Sequence, residues 1–149
     1  MSDEKFMRLA IAEAQKSETP FGAVIVNDHE VVVQCGNTVH SDHDPTCHAE
    51  VNAIRQLTKR MENASPPGTY TLYTTCEPCP MCAATCLWAG IHHIIYGVGN
   101  DDFENSNPNM IDLRCEEVFR RSPAEYKIES GLLKEKCKQL HKEFPLDEL

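Results

Sequence analysis

Two short stretches hold four residues that could do chemistry together. His48 and Glu50 stand two apart in Asp44-Pro-Thr-Cys-His-Ala-Glu50, and Cys79 and Cys82 belong to the run Cys76-Glu-Pro-Cys-Pro-Met-Cys82. Zinc prefers imidazole and thiolate ligands, and a catalytic zinc uses three protein donors while leaving a fourth position open to water. His48, Cys79 and Cys82 supply that set, which puts Glu50 close to the metal without being a ligand. Zinc lowers the pKa of bound water from about 15.7 to about 7, and a carboxylate beside it can carry the proton, a contribution of about 10²–10⁴ in rate. Taken singly, each part has a plainer reading. His48 could be a structural hydrogen-bonding group, Glu50 a first-turn acid placed by the helix dipole, and Cys79-x-x-Cys82 a redox pair. Cys76 could also complete a closed Cys₃His set, which would make the centre purely structural and Glu50 incidental.

The elements that must position these residues can be read from pattern. Residues 3 to 16 place Phe6, Leu9, Ala10 and Ala14 at helical spacing, with Ser2 as a cap and Asp3 and Glu4 in the first turn. Phe21 to Val26 and Val31 to Val33 read as two strands joined by the turn residues 27–30. The polar stretch from Asn37 to Pro45 is a loop. Thr46 is the expected cap of a helix carrying Val51, Ile54, Leu57 and Met61, with His48 and Glu50 in its first turn. A strand over 70–74 precedes a helix over 79–89, started by Pro80 and ended by Gly90. Both halves of the pattern thus fall at helix starts. A strand over 93–98, a surface loop over 99–109, a short helix over 111–121, a strand over 126–130 and a helix over 132–144 complete the chain. Strands alternating with helices after an opening hairpin predict an α/β fold, a three-layer α/β/α sandwich on a mixed sheet.

Composition sets the bounds. With 149 residues and no linker or repeat, residues 1–149 form one expected domain. Fourteen basic against twenty-three acidic side chains give a formal net charge of −9 at pH 7, which disfavours a long, sequence-blind grip on nucleic acid such as tRNA. The eight cysteines, with neither a signal-like start nor a membrane-length apolar run, point to a reduced, cytoplasmic protein. Cys47, Cys86, Cys115 and Cys137 read as small buried apolar residues, and Trp88 as a core residue or an interface anchor.

From about Phe6 to Phe144 the chain resembles the cytidine-deaminase-like zinc deaminase superfamily. His48-Ala49-Glu50, Pro78-Cys79-Pro80-Met81-Cys82, Asp44-Pro45-Thr46 and Asn37 carry the resemblance, and they look like its purine branch of guanine and tRNA adenosine deaminases. The resemblance implies a five-stranded sheet, one zinc per subunit, a homodimer or larger assembly, and a pocket lined by Asn37, Phe21 and the backbone at Ala49. It further implies hydrolytic deamination by zinc-bound hydroxide, with Glu50 as proton shuttle. The Pro20–Val26 strand and the run Glu50-Val-Asn-Ala-Ile-Arg55 resemble guanine deaminases, so a free purine such as guanine is the first expected substrate. The stretches Asn109-Met-Ile-Asp112 and Glu129-Ser-Gly-Leu-Leu133 resemble the tRNA enzymes, so a wobble adenosine is the second and a cytosine-type base the third. Two features depart from these relatives. Guanine deaminases close the pocket with C-terminal residues that include an aromatic, whereas the last tyrosine here is Tyr126. The tRNA enzymes carry a basic C-terminal helix, whereas four lysines and four acids balance from Lys134 to Leu149.

Overall fold

A computed structural model describes residues 3–102 and 109–145. The first helix, α1 (Asp3–Ser17), has Asp3 and Glu4 in its first turn and buries Phe6, Met7, Ala10 and Ala14 on one face. The Ser2 cap and most of the 99–109 loop lie outside the described residues. Strands β1 (Gly22–Asn27) and β2 (Glu30–Gly36) pair antiparallel as a hairpin, with Asp28 in the left-handed conformation at φ 57° in its turn. The remaining elements are α2 (Ala49–Met61), β3 (Tyr70–Cys76), α3 (Pro80–Ala89), β4 (His93–Val98), α4 (Cys115–Arg120), β5 (Lys127–Ser130) and α5 (Lys134–Glu143).

The strand order is β2-β1-β3-β4-β5. β1 runs antiparallel to both neighbours, while β3, β4 and β5 are parallel, so the sheet is mixed and five-stranded as expected. Successive strand residues point to opposite faces, and the core divides accordingly. Ala23, Ile25, Leu72 and Ile94 pack with Ala53, Ile54 and Leu57 of α2, Ala83 and Cys86 of α3, and Cys115 and Phe119 of α4. Val24, Val26, Tyr73 and Ile95 pack on the other side with Phe6, Met7 and Ala10 of α1 and Cys137 of α5. This is the three-layer α/β/α arrangement. Among the described residues no helix is long and apolar enough to cross a membrane.

Three expectations change. The helix expected over 111–121 forms only over Cys115–Arg120, because Arg114 is extended (φ −69°, ψ 145°) and caps it, leaving Ile111 and Leu113 exposed. Met61, assigned to the inner face of α2, is the last residue of that helix and is 45% exposed. Trp88 is 77% exposed, which removes it from the core.

One close approach fixes the start of β1. A methyl group on Gly22 would stand 1.9 Å from the Ala10 carbonyl oxygen and 2.7 Å from the Ala14 nitrogen, so only hydrogen fits between α1 and the strand. Both obstacles are helix backbone and cannot rotate away. Gly22→Ala is therefore expected to cost about 3 kcal/mol or more. The check is a urea titration, where the midpoint should fall at unchanged slope; an unaltered midpoint would show that α1 is free to lift.

Candidate active site

The loop from β2 to α2 is held by its own polar side chains. Asn52, in the second turn of α2, donates to the carbonyls of Gly36 (3.0 Å) and Cys47 (3.2 Å) and to Thr38 Oγ1 (2.9 Å), drawing both ends of the loop together. Asp44 Oδ1 accepts from Thr46 N (2.8 Å) and Thr46 Oγ1 (2.7 Å), and Arg55 Nη2 donates to the same hydroxyl at 2.9 Å. With its hydroxyl committed there, Thr46 does not cap the helix. His48 is the N-cap instead, extended at φ −65° and ψ 155°. α3 starts the same way, with Cys79 as N-cap (φ −68°, ψ 171°), Pro80 opening the first turn, and Gly90 ending the helix at φ 82°. Among the described residues neither His48 nor Cys79 makes a side-chain capping bond. Both side chains are thereby left for another partner.

Together they could hold a metal ion. His48 Nδ1 lies 3.5 Å from Cys79 Sγ and 3.5 Å from Cys82 Sγ, and the three donor atoms all fall within 4.8 Å of one another. Tetrahedral ligands at ordinary Zn–N and Zn–S bond lengths stand about 3.6 Å apart, which the two separations from His48 Nδ1 match. Among the described residues this is the one cluster able to hold a metal ion. Its electrostatics favour a cation. The hydrogen bond from Cys82, with His48 behind it, pulls the Cys79 thiol down to about 4. Cys82 is held protonated by Cys79 and by burial, and the bond to Cys79 raises His48. Glu50, in the first turn of α2 and 6% exposed, is pushed up to about 7 by burial and then by the negative charge on Cys79. A buried carboxylate and a thiolate in one pocket repel each other until a positive ion joins them.

Cys76 stands apart from this cluster. Its Sγ meets Asn100 Oδ1 at 3.5 Å, and burial pushes its thiol well up. The closed four-ligand set is not assembled.

The donors open onto a cavity of about 460 Å³, within the range of roughly 300–1,000 Å³ usual for small-molecule sites. Glu50 lines it, as do Phe21 and Asn37. Phe21 is set by Thr75, which donates to Pro20 O (2.8 Å) and accepts from Gly22 N (3.1 Å). Asn37 Oδ1 accepts from Val39 N at 3.0 Å. Ala49 is fully buried in the core cluster and is not among the lining residues described. Pattern reading did not single out Val39, His40, Met110, Ile111 and His141, and it reached Asn100 only as part of the 99–109 loop. It also missed the work of Glu77. That carboxylate is 4% exposed and accepts from Asn100 N (3.1 Å), Arg114 Nε (3.0 Å) and Cys115 N (2.9 Å), tying the end of β3 to the loop after β4 and the start of α4. An acid fixed between a strand end and a ligand cysteine was the available signal.

Residues 1–98 match the family model of the cytidine and deoxycytidylate deaminase zinc-binding region. The chain belongs to this family. Zinc is accordingly the metal of the His48, Cys79 and Cys82 cluster. Within the deaminases, the guanine deaminase of Bacillus subtilis is 38% identical over 107 residues, covering 68% of each chain. The chloroplastic tRNA(adenine(34)) deaminase of Arabidopsis thaliana is 41% identical over 102 residues, 66% of this chain, and the chain spans 8% of that protein's length. A solved structure from work on A-to-I editing by tRNA:A34 deaminases superposes with a TM-score of 0.76 at 30% identity, covering 91% of this chain and 98% of the other.

Proposed function

We propose that the protein hydrolytically deaminates a free purine base such as guanine. The observation that carries this reading is the cavity wall. Phe21 offers an aromatic surface, Val39, Met81, Met110 and Ile111 offer apolar contacts, and Asn37 offers an amide. Among the described lining residues there are two carboxylates, Glu50 and Glu77, and three histidines, His40, His48 and His141, but neither a lysine nor an arginine. A flat neutral base suits such a wall, whereas a phosphate would find neither lysine nor arginine among the described lining residues. The formal net charge of −9 points the same way.

Zinc, held by His48, Cys79 and Cys82, supplies a lowered pKa for water, from about 15.7 to about 7. Glu50 does the proton work. It takes one proton from the attacking water and gives it to the ring nitrogen beside the reacting carbon as the C–O bond forms. It then moves the hydroxyl proton to the amine, so that the C–N bond breaks, ammonia leaves and a carbonyl remains. Burial suits Glu50 to this role, because it raises the carboxylate's affinity for the proton it must take from water. Asn37, its oxygen engaged by Val39 N, offers its amide hydrogens to the edge of the base. A homodimer in a reducing, cytoplasmic compartment belongs to the same reading. It is supported by α3, which has no charged residue and carries the exposed Trp88, and by eight free cysteines.

A second reading, deamination of a tRNA wobble adenosine, is supported by the likeness across 91% of this chain. Incubating the zinc-loaded protein with guanine, adenine, cytosine, their nucleosides and a tRNA anticodon stem-loop, and measuring ammonia and inosine, separates the two. Guanine turnover is expected, and inosine from the stem-loop without turnover of any free base would overturn the first reading.

A further inference from the structure

Two parts of the cavity wall are carried on irregular chain. Met110 and Ile111 line the cavity, yet the residues from Met110 to Arg114 belong to no helix or strand, and α4 begins only at Cys115. Asn100, also in the wall, lies in the turn after β4 where Asp102 N donates to Gly99 O at 3.0 Å. Walls on such segments need an anchor from outside them. Glu77, following β3 with its side chain 1% exposed, divides its two oxygens between them. Oε1 accepts from Asn100 N at 3.1 Å, and Oε2 accepts from Arg114 Nε at 3.0 Å and from Cys115 N at 2.9 Å. Arg114 extends the clasp, its Nη1 donating to Asp101 Oδ2 at 2.8 Å and its Nη2 to the Tyr96 hydroxyl at 3.3 Å. One guanidinium thus joins the segment bearing Met110 and Ile111 to the turn bearing Asn100, with β3 and β4 as supports. A planar fork holds several partners at fixed angles, which an ammonium cannot do. A half-exposed arginine contributes little by itself, but a charge-assisted bond to a buried carboxylate is a strong one.

We propose that Arg114 is a positioning residue for the substrate: by clasping Glu77 and Asp101 it fixes the gap between Asn100 and the wall of Met110 and Ile111, and so how tightly the base is held. It touches no reacting atom. The zinc donors and Glu50 are carried by the starts of α2 and α3, so the clasp acts on binding and leaves the chemical step alone. The inference goes beyond the choice between guanine and a wobble adenosine, since either base would lie against the same wall.

The test measures kcat and KM on guanine, or on the anticodon stem-loop if the wild type accepts only that. The zinc-loaded wild type is compared with Arg114→Met, Arg114→Lys, Ile111→Ala and the double variant Arg114→Met with Ile111→Ala, and zinc content and melting temperature are recorded for each. Arg114→Met is expected to raise KM about tenfold, with kcat within about threefold and zinc retained. Arg114→Lys, which keeps the charge and loses the fork, should fall between it and the wild type. The double variant should raise KM by less than the product of the two single effects, because a wall already cut back loses less when it is released. Asp101→Ala opens the clasp from its exposed side and spares the buried carboxylate, so it should raise KM about threefold even if Arg114→Met does not fold. Arg121→Met, which breaks an exposed pair with Glu117, should change neither constant. An unchanged KM in Asp101→Ala and in the Arg114 variants, or single effects that multiply in full, would show that the clasp serves the fold alone. If the wild type deaminates neither substrate, the function proposed above falls first and this inference with it.

Discussion

Glu50→Gln keeps its zinc and loses turnover. The amide has the size and shape of the carboxyl, so α2 and the ligand His48 two residues away stay in place, but it cannot take a proton from water or return one. Removing a general acid–base group typically costs about 10²–10⁴ in rate, and this reaction asks Glu50 for two transfers, so the upper end is expected. Folding should not suffer. A carboxylate only 6% exposed and next to Cys79 is destabilising until the metal arrives, and the neutral amide relieves that repulsion. Metal analysis should give one zinc per chain, ammonia release should vanish, and the melting temperature of the metal-free variant should equal or exceed that of the metal-free wild type. Turnover within tenfold of wild type would remove Glu50 from the mechanism.

Cys82→Ser has the larger effect on the molecule as a whole. Cys82 is fully buried and its sulfur is one of three donors, and a serine hydroxyl is a poor ligand for zinc. A metal held at a thousand times its dissociation constant stabilises the folded chain by about 4 kcal/mol, which for a chain of this size corresponds to about 10 °C in melting temperature. The variant should purify without zinc, be inactive, and melt lower by that amount. Treating the wild type with a strong chelator should produce the same shift and leave Cys79 open to alkylation, since its thiol is the one pulled down to about 4. Cys76→Ser is the control. Its sulfur meets Asn100 rather than the donor cluster, so zinc and most activity should remain. Loss of zinc in Cys76→Ser together with full activity in Glu50→Gln would instead mark a closed structural centre.

The chemistry was legible in the sequence because it depends on local spacing. Two cysteines three apart at a helix start can reach one metal wherever the helix sits, and Pro80 and Gly90 mark that helix by backbone rules alone. The layers were legible for the same reason, since the residues facing α1 and those facing α2 alternate along β1. Misreadings arose where side chains compete. Thr46 has the right chemistry for a cap, but Asp44 and Arg55 claim its hydroxyl, and that contest is decided by a loop whose closure depends on Asn52. The helix expected from Ile111 fails over its first turn, where Arg114 turns outward to Glu77, Asp101 and Tyr96. His141 was out of reach altogether. Its place beside Phe21 follows from how α5 crosses Gly97, a long-range packing choice with no local signature.

The proposed reacting groups and the walls of the cavity come from different parts of the chain. The zinc donors and Glu50 sit at the N-terminal ends of α2 and α3, while Phe21, Val39, Ile111 and His141 come from a strand entrance, a loop, an irregular segment and the last helix. A gene copy released from selection could change any of these four walls and still encode a working hydrolase, now with a different diet. Descent within such a scaffold need never pass through a dead enzyme, and new substrates can be tried one wall at a time.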